Sequence, residues 1–204
     1  MLSTTFRLAR KAGACPDRYR YFAKAVGGAT KYGKDTPIPL SRILEVNGLA
    51  DALWALRCVV PEEAAERDRL SRLLACDYAE HILPLYERQY PTDRRPHEAI
   101  ETARRFVRGE ASIEELAAAE RAAERAAERA DSAAAWAAAS AAWAAERAAS
   151  AAWAAERAAW AAAWAAAWAA ERAARATWAA TAATSAAEGE WQARRLLERL
   201  EAVD

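Results

Sequence analysis

Asp77, Glu80 and His81, in the string ACDYAEHIL, are the residues of this chain whose types and spacing could do chemistry. On a helix Asp77 and His81 lie one turn apart, so a carboxylate could orient an imidazole, as an acid–base site or half a metal site requires. The second half is missing. The other histidine, His97, sits in PHEAIE and lacks the HExxH spacing that sets two imidazoles on one helix face. A salt-bridged helix face, or a hydrogen-bonded core histidine, is therefore the favoured reading of the cluster. With two histidines, a Ser-His-Asp or Cys-His set could arise only by assembly in space. Cys15, Cys58 and Cys76 are far apart and form no CxxC, which predicts buried thiols in a reducing compartment and neither a disulfide frame nor a zinc site. Gly27-Gly28 and Gly33 follow no strand and precede no G-K-[ST], so they make no phosphate loop. No cofactor and no metal is implied.

Two further sets could make contacts with a partner. Arg94, Arg95, Arg104, Arg105 and Arg108 could grip an anion, but Asp93, Glu98, Glu101 and Glu110 stand beside them and favour internal pairing. Trp153, Trp160, Trp164 and Trp168, with Arg157 and Arg172, could form a docking surface, because indoles and guanidiniums dominate interface hot spots. Packing between helices is the other use of such indoles, and the one given more weight.

These tryptophans belong to a stretch from Ser112 to Ala187 that is almost wholly alanine, without glycine or proline. Alanine is the strongest helix former, so composition alone nearly decides the local conformation. The string SAAWAAERAA at 140–149 recurs unchanged at 150–159, and a partial copy starts at Trp168. On one helix, Trp136, Trp143, Trp153, Trp160, Trp164, Trp168 and Trp178 fall within a sector of roughly 120°, opposite an alanine-only face about 160° wide. A single straight helix over this stretch would be about 110 Å long, more than a compact domain can bury. Breaks are therefore expected, with Asp131-Ser132 the best place and Ser140, Ser150 and the Thr181, Thr184, Ser185 group weaker ones. A lone rod paired with another chain is the rival.

The chain has 204 residues with 29 basic and 29 acidic side chains, so its net charge of zero offers no bulk case for nucleic acid binding. Residues 1–35 nevertheless hold eight Lys or Arg against Asp17 and Asp35, and read as a solvated basic surface. The start, MLSTTFRLARKAG, lacks an apolar core with a cleavage site and reads as a first helix over Leu2 to Arg10. The longest apolar runs are built from alanine and are too short for a membrane span. A cytoplasmic protein is expected.

Helix punctuation follows along the chain. Pro16 and Asp17 open a helix that stops at Gly27-Gly28, and Ser41 caps one that Asn47-Gly48 ends. Leu49 to Val60 and a helix from Pro61-Glu62-Glu63 follow, the latter running until Pro84 kinks or breaks it. Pro96-His97-Glu98 opens another, Gly109 ends it, and Ser112 with Glu115 has capping-box spacing. Gly189 marks a break before a last amphipathic helix from Trp191 to Val203. No segment alternates with period two. The fold class is all-α with essentially no sheet: a multi-helix bundle over residues 1–110, then Ala/Trp-rich antiparallel helices and a C-terminal amphipathic helix over 111–204, packed on the first part.

Residues 72–116, RLLACDYAEHILPLYERQYPTDRRPHEAIETARRFVRGEASIEEL, resemble the central motif of the Imm-five-like immunity proteins of bacteria and their phages. The matching positions are Ala75, Cys76, Ala79, Glu80, His81 and Pro84, then Pro91, Asp93, Arg95, Pro96, Ala99, Ile100, Glu101, Ala103 and Arg104, then Arg108, Gly109 and Glu110. FRLARKAGAC at 6–15 and Trp54-Ala55-Leu56 are also similar to that family's N-terminal part. The resemblance implies an all-helical protein that neutralises a cognate toxin by binding it, with no catalytic residue to carry over. The readings to be separated are thus a non-enzymatic binder of a protein toxin, a scaffold that associates with itself through the repeat, and a small-molecule enzyme built on Asp77, Glu80 and His81.

Overall fold

Helices dominate the structure, a computed structural model that describes residues 1–130, 132–146, 164–165 and 178–202. In chain order the elements are β1 (Ser3–Thr4), α1 (Phe6–Lys11), α2 (Pro16–Ala25), α3 (Ala29–Tyr32), β2 (Ile38–Pro39), α4 (Leu40–Asn47) and α5 (Leu49–Ala55). Short 3-10 turns at Leu56–Cys58 and Pro61–Glu63 lead to α6 (Ala64–Glu87), α7 (Arg95–Val107), α8 (Ile113–Ala127), α9 (Ser132–Glu146) and α10 (Trp178–Glu201). The fold is all-α apart from one small ribbon, as the sequence implied. Among the described residues no helix is long and apolar enough to cross a membrane. The chain divides into two compact units, Met1–Leu70 with Ala193–Asp204, and Ser71–Gln192.

In the first unit, β1 and β2 pair antiparallel with Ser3 opposite Pro39 and Thr4 opposite Ile38. The helix expected from Leu2 therefore starts only at Phe6, where the Thr5 side chain accepts the Leu8 N–H. The difference has a physical cause. Leu2 is fully buried, its carbonyl accepts the Leu40 N–H at 3.0 Å and Ser3 O accepts the Val60 N–H at 2.9 Å, so the extended backbone is satisfied from two distant segments. Thr4, 1% exposed, donates its hydroxyl to Cys58 O, and Glu63 accepts the Ser3 N–H at 2.6 Å. Phe6 lies at the centre of an aromatic cluster, with ring centroids 5.2 Å from Tyr19 and 5.9 Å from both Phe22 and Tyr32. Pro16 sits in the first turn of α2 as expected, and Gly48, at φ +86°, separates α4 from α5. Ser41 is no cap: Pro39 holds that position and Ser41 lies inside α4. Cys58 and Cys76 are buried, whereas Cys15, just before Pro16, is exposed and departs from the expectation of buried thiols. Burial pushes the Cys58 thiol above its ordinary pKa.

The second unit packs α7, α8 and α9 against one another. Ser112 and Glu115 form the expected capping box: Ser112 Oγ accepts the Glu115 N–H at 3.2 Å, and Glu115 Oε2 accepts the Ser112 N–H at 2.7 Å. The alanine tract breaks where it was expected to, since α8 ends at Ala127 and α9 begins at Ser132. The weaker positions do not break: α9 runs through Ser140, and α10 runs through Thr181, Thr184 and Ser185. Ser150 lies outside the described residues. A lone rod is excluded for the described part, because α8 and α9 are separate helices in contact. In α9 the methyl face is the buried one, with Ala134, Ala137, Ala138 and Ala141 at 0% exposure. One methyl contributes only on the order of 0.8 kcal/mol, so a face of methyls stabilises chiefly by letting backbones approach closely. α6 runs through Pro84 to Glu87 unbroken, although an interior proline costs about 3 kcal/mol. Ile82, Leu83 and Tyr86 around it are buried, and that packing holds the last turn in place.

Candidate functional site

The second half of α6 buries two adjoining sides, with Leu74, Ala75, Cys76, Tyr78 and Ala79 all at 0% exposure. Asp77 is drawn in with them at 3%, whereas Glu80 and His81 face outward. A carboxylate that deep must be compensated. Arg104 on α7 compensates it: its Nη2 lies 3.0 Å from Asp77 Oδ1 and 2.5 Å from Glu80 Oε2. Two of the three residues singled out in the sequence therefore meet on one guanidinium.

His81 engages α10. Its Nε2 lies 3.0 Å from Oε2 of Glu188, a carboxylate whose side chain is 5% exposed, while Glu188 Oε1 accepts from Gln192 Nε2 at 2.9 Å. The imidazole also stacks on the indole of Trp191, with centroids 3.6 Å apart and planes 10° from parallel. The edge of Tyr78 approaches the same indole at 6.0 Å, and its hydroxyl donates to Gln192 O at 3.2 Å. Chemically, the result is an imidazole fixed at one nitrogen by a buried carboxylate and across one face by an indole. That is a clamp between two helices. It is also an oriented imidazole of the kind a general base needs, with Nδ1 the remaining nitrogen.

Sequence reasoning missed Arg104, Glu188, Trp191 and Gln192 as members of this site. The signal for the last three was present, since spacings of three and four residues put Glu188, Trp191 and Gln192 on one helix face. Reading Gly189 as a break hid it. Gly189 is in fact inside α10.

The motif around Pro91 to Pro96 builds a second polar knot. The Tyr86 hydroxyl donates to Asp93 Oδ2 at 2.6 Å, and Arg95 donates to Asp93 Oδ1 from Nε at 2.8 Å and from its backbone N–H at 3.2 Å. Arg95 and Tyr86 hold the Asp93 carboxyl well below the usual carboxylate range, while burial and the Asp93 charge push the Tyr86 phenol up to about 12. Further along, Arg105 reaches Glu110 O at 2.9 Å and Glu115 at 3.4 Å, and Arg108 reaches Glu110 at 2.8 Å. Internal pairing thus engages most of the arginine set, as the sequence suggested. Among the described residues no group of three His, Cys, Asp or Glu side chains is arranged to hold a metal ion.

Of the tryptophan and arginine docking set, Trp164 is described and is 44% exposed. Trp153, Trp160, Trp168, Arg157 and Arg172 lie outside the described residues.

The profile of the family described as Imm-5 like putative immunity protein matches residues 64–199. The chain belongs to this family. The match covers α6 to α9 and nearly all of α10, and therefore includes both polar knots. The N-terminal segments that also resembled the family, at 6–15 and 54–56, lie before it. No curated protein and no solved structure matches the chain.

Proposed function

We propose that the chain is a non-enzymatic immunity protein that neutralises a cognate toxin by covering part of its surface. Family membership over residues 64–199 is the observation that carries this reading. The richest polar cluster has a structural use that this reading accommodates: Asp77 and Glu80 pair with Arg104, and His81 pairs with Glu188. The contact surface is assigned to the indole and guanidinium face of the repeat, Trp153, Trp160, Trp164 and Trp168 with Arg157 and Arg172. The exposure of Trp164 favours that face.

The test is capture of the product of a neighbouring toxin gene by the purified full chain, followed by titration calorimetry. A 1:1 complex with a Kd on the order of nanomolar and no turnover is expected. A His81→Ala variant that still protects the host removes the enzyme reading; loss of protection by a folded His81→Ala variant, with the complex intact, would favour it. Self-association through the repeat is decided by equilibrium sedimentation, where a monomer at micromolar concentration removes the scaffold reading.

A further inference from the structure

The first unit contains a cleft of about 380 Å³ lined by Phe6, Arg7, Arg10, Lys11, Tyr19 and Lys34. It lies before the residues matched by the family profile and is independent of the toxin-binding reading. Its floor is preformed by the aromatic cluster around Phe6, which is 2% exposed. Its far wall is held by a backbone bond from the Arg7 N–H to Lys34 O at 3.0 Å, and the chain reverses there through Gly33 at φ +104°. A Cβ on Gly33 would stand 2.2 Å from Thr36 Oγ1, so the loop that carries Lys34 admits no other residue without shifting.

Four cations surround this floor, and one of them, Arg7, is already paired with an exposed carboxylate that does not line the cleft. Arg7 holds Asp35 through both Nε and Nη2, the latter at 2.6 Å. Among the described residues, no carboxylate lies within ion-pair distance of Arg10, Lys11 or Lys34, all three of which are exposed, although the charge of Lys34 also acts on Asp35. We infer that this cleft docks an acidic polypeptide segment of a partner protein, with one apolar side chain on the half-buried Tyr19 ring that covers Phe6 and flanking carboxylates on Arg10, Lys11 and Lys34. A compact phosphate fits less well. Arg10 and Lys11 occupy the last turn of α1, where the helix presents carbonyls, so no cluster of backbone N–H groups backs the cations. Side chains on long stems around an apolar floor suit several spaced carboxylates and one anchor, the pattern of a hot spot within a charged rim.

The experiment is fluorescence anisotropy of the full chain with a labelled synthetic peptide, DEDLEDE. The wild type binds it, and affinity falls steeply with added salt. R10Q/K11Q/K34Q, which keeps good helix formers in α1, weakens binding about tenfold or more, while R20Q/K24Q/K31Q, three cations that do not line the cleft, changes it less than about twofold. Replacing the central leucine of the peptide by glycine weakens binding several-fold, and KRKLKRK does not bind. Circular dichroism verifies that both triple variants fold. Equal binding by the two triple variants, indifference to the leucine, or binding of inorganic pyrophosphate without binding of the peptide would each overturn the inference.

Discussion

Asp93→Ala should be among the most damaging single changes in the second unit, although the residue lies in a turn. Its carboxylate gathers the Tyr86 hydroxyl at 2.6 Å and two groups of Arg95, and Tyr86 is 1% exposed. Removing the acceptor leaves a buried phenol donor, which costs about 1–3 kcal/mol. The Arg95 contact, roughly a quarter exposed, adds about 0.5–1 kcal/mol after discounting for solvent screening. A loss of about 2–4 kcal/mol is therefore expected. Tyr86→Phe removes the donor and leaves Asp93 with Arg95, so it should cost only about 1 kcal/mol. The double variant should fall short of the sum by about 1–2 kcal/mol, because with the phenol hydroxyl also absent no buried donor of Tyr86 is left unsatisfied. Urea denaturation followed by far-UV circular dichroism measures all four corners of the cycle, with an unchanged m-value as the control for two-state behaviour. A cycle additive to within about 0.5 kcal/mol, or an Asp93→Ala loss under about 1 kcal/mol, would refute the argument that these matched positions build a structural knot.

Three further outcomes follow from the same geometry. Because the Asp93 carboxyl is depressed below its ordinary value of 3.8, its contribution is complete above that value and is lost as pH falls through the folded-state value. Urea midpoints of wild type and Asp93→Asn should therefore differ at pH 7, keep that difference down to about pH 4, and begin to converge only in stronger acid as pH approaches the depressed folded-state value. Arg104→Met should cost about 2–4 kcal/mol in the same assay, since it takes the guanidinium from a buried Asp77, and Arg104→Lys should recover part of the loss. Gly189→Ala should stabilise by about 0.5–1 kcal/mol, seen as a raised Tm. Gly189 lies inside α10 without a positive φ, and an added Cβ meets nothing within 4 Å.

What the sequence determined by itself was local. The Ser112–Glu115 capping box, Pro16 in a first turn, the ending at Gly48 and the break before Ser132 each depend on groups a few residues apart, so spacing alone specifies them. The alanine tract follows the same logic. A run without glycine or proline has one favourable backbone state, whereas which of its faces is buried was left open by the sequence, and packing buries the methyl face in α9.

Only the tertiary structure could decide the outcomes that depend on distant partners. Ser3 and Thr4 are extended because residues 38–39 and 59–60 supply their hydrogen bonds, a condition no window around Leu2 contains. Pro84 and Gly189 stay helical because burial of neighbouring side chains offsets a local penalty of about 1–3 kcal/mol, so breakers that end an isolated helix do not end these. The polar cluster divides the same way. Its three residues were visible as one helix face, but their partners, Arg104 and Glu188, are supplied by two other helices 24 and 107 residues further along the chain from Glu80 and His81. Sequence spacing fixes which side chains share a face, whereas packing of one face on another fixes what each side chain meets.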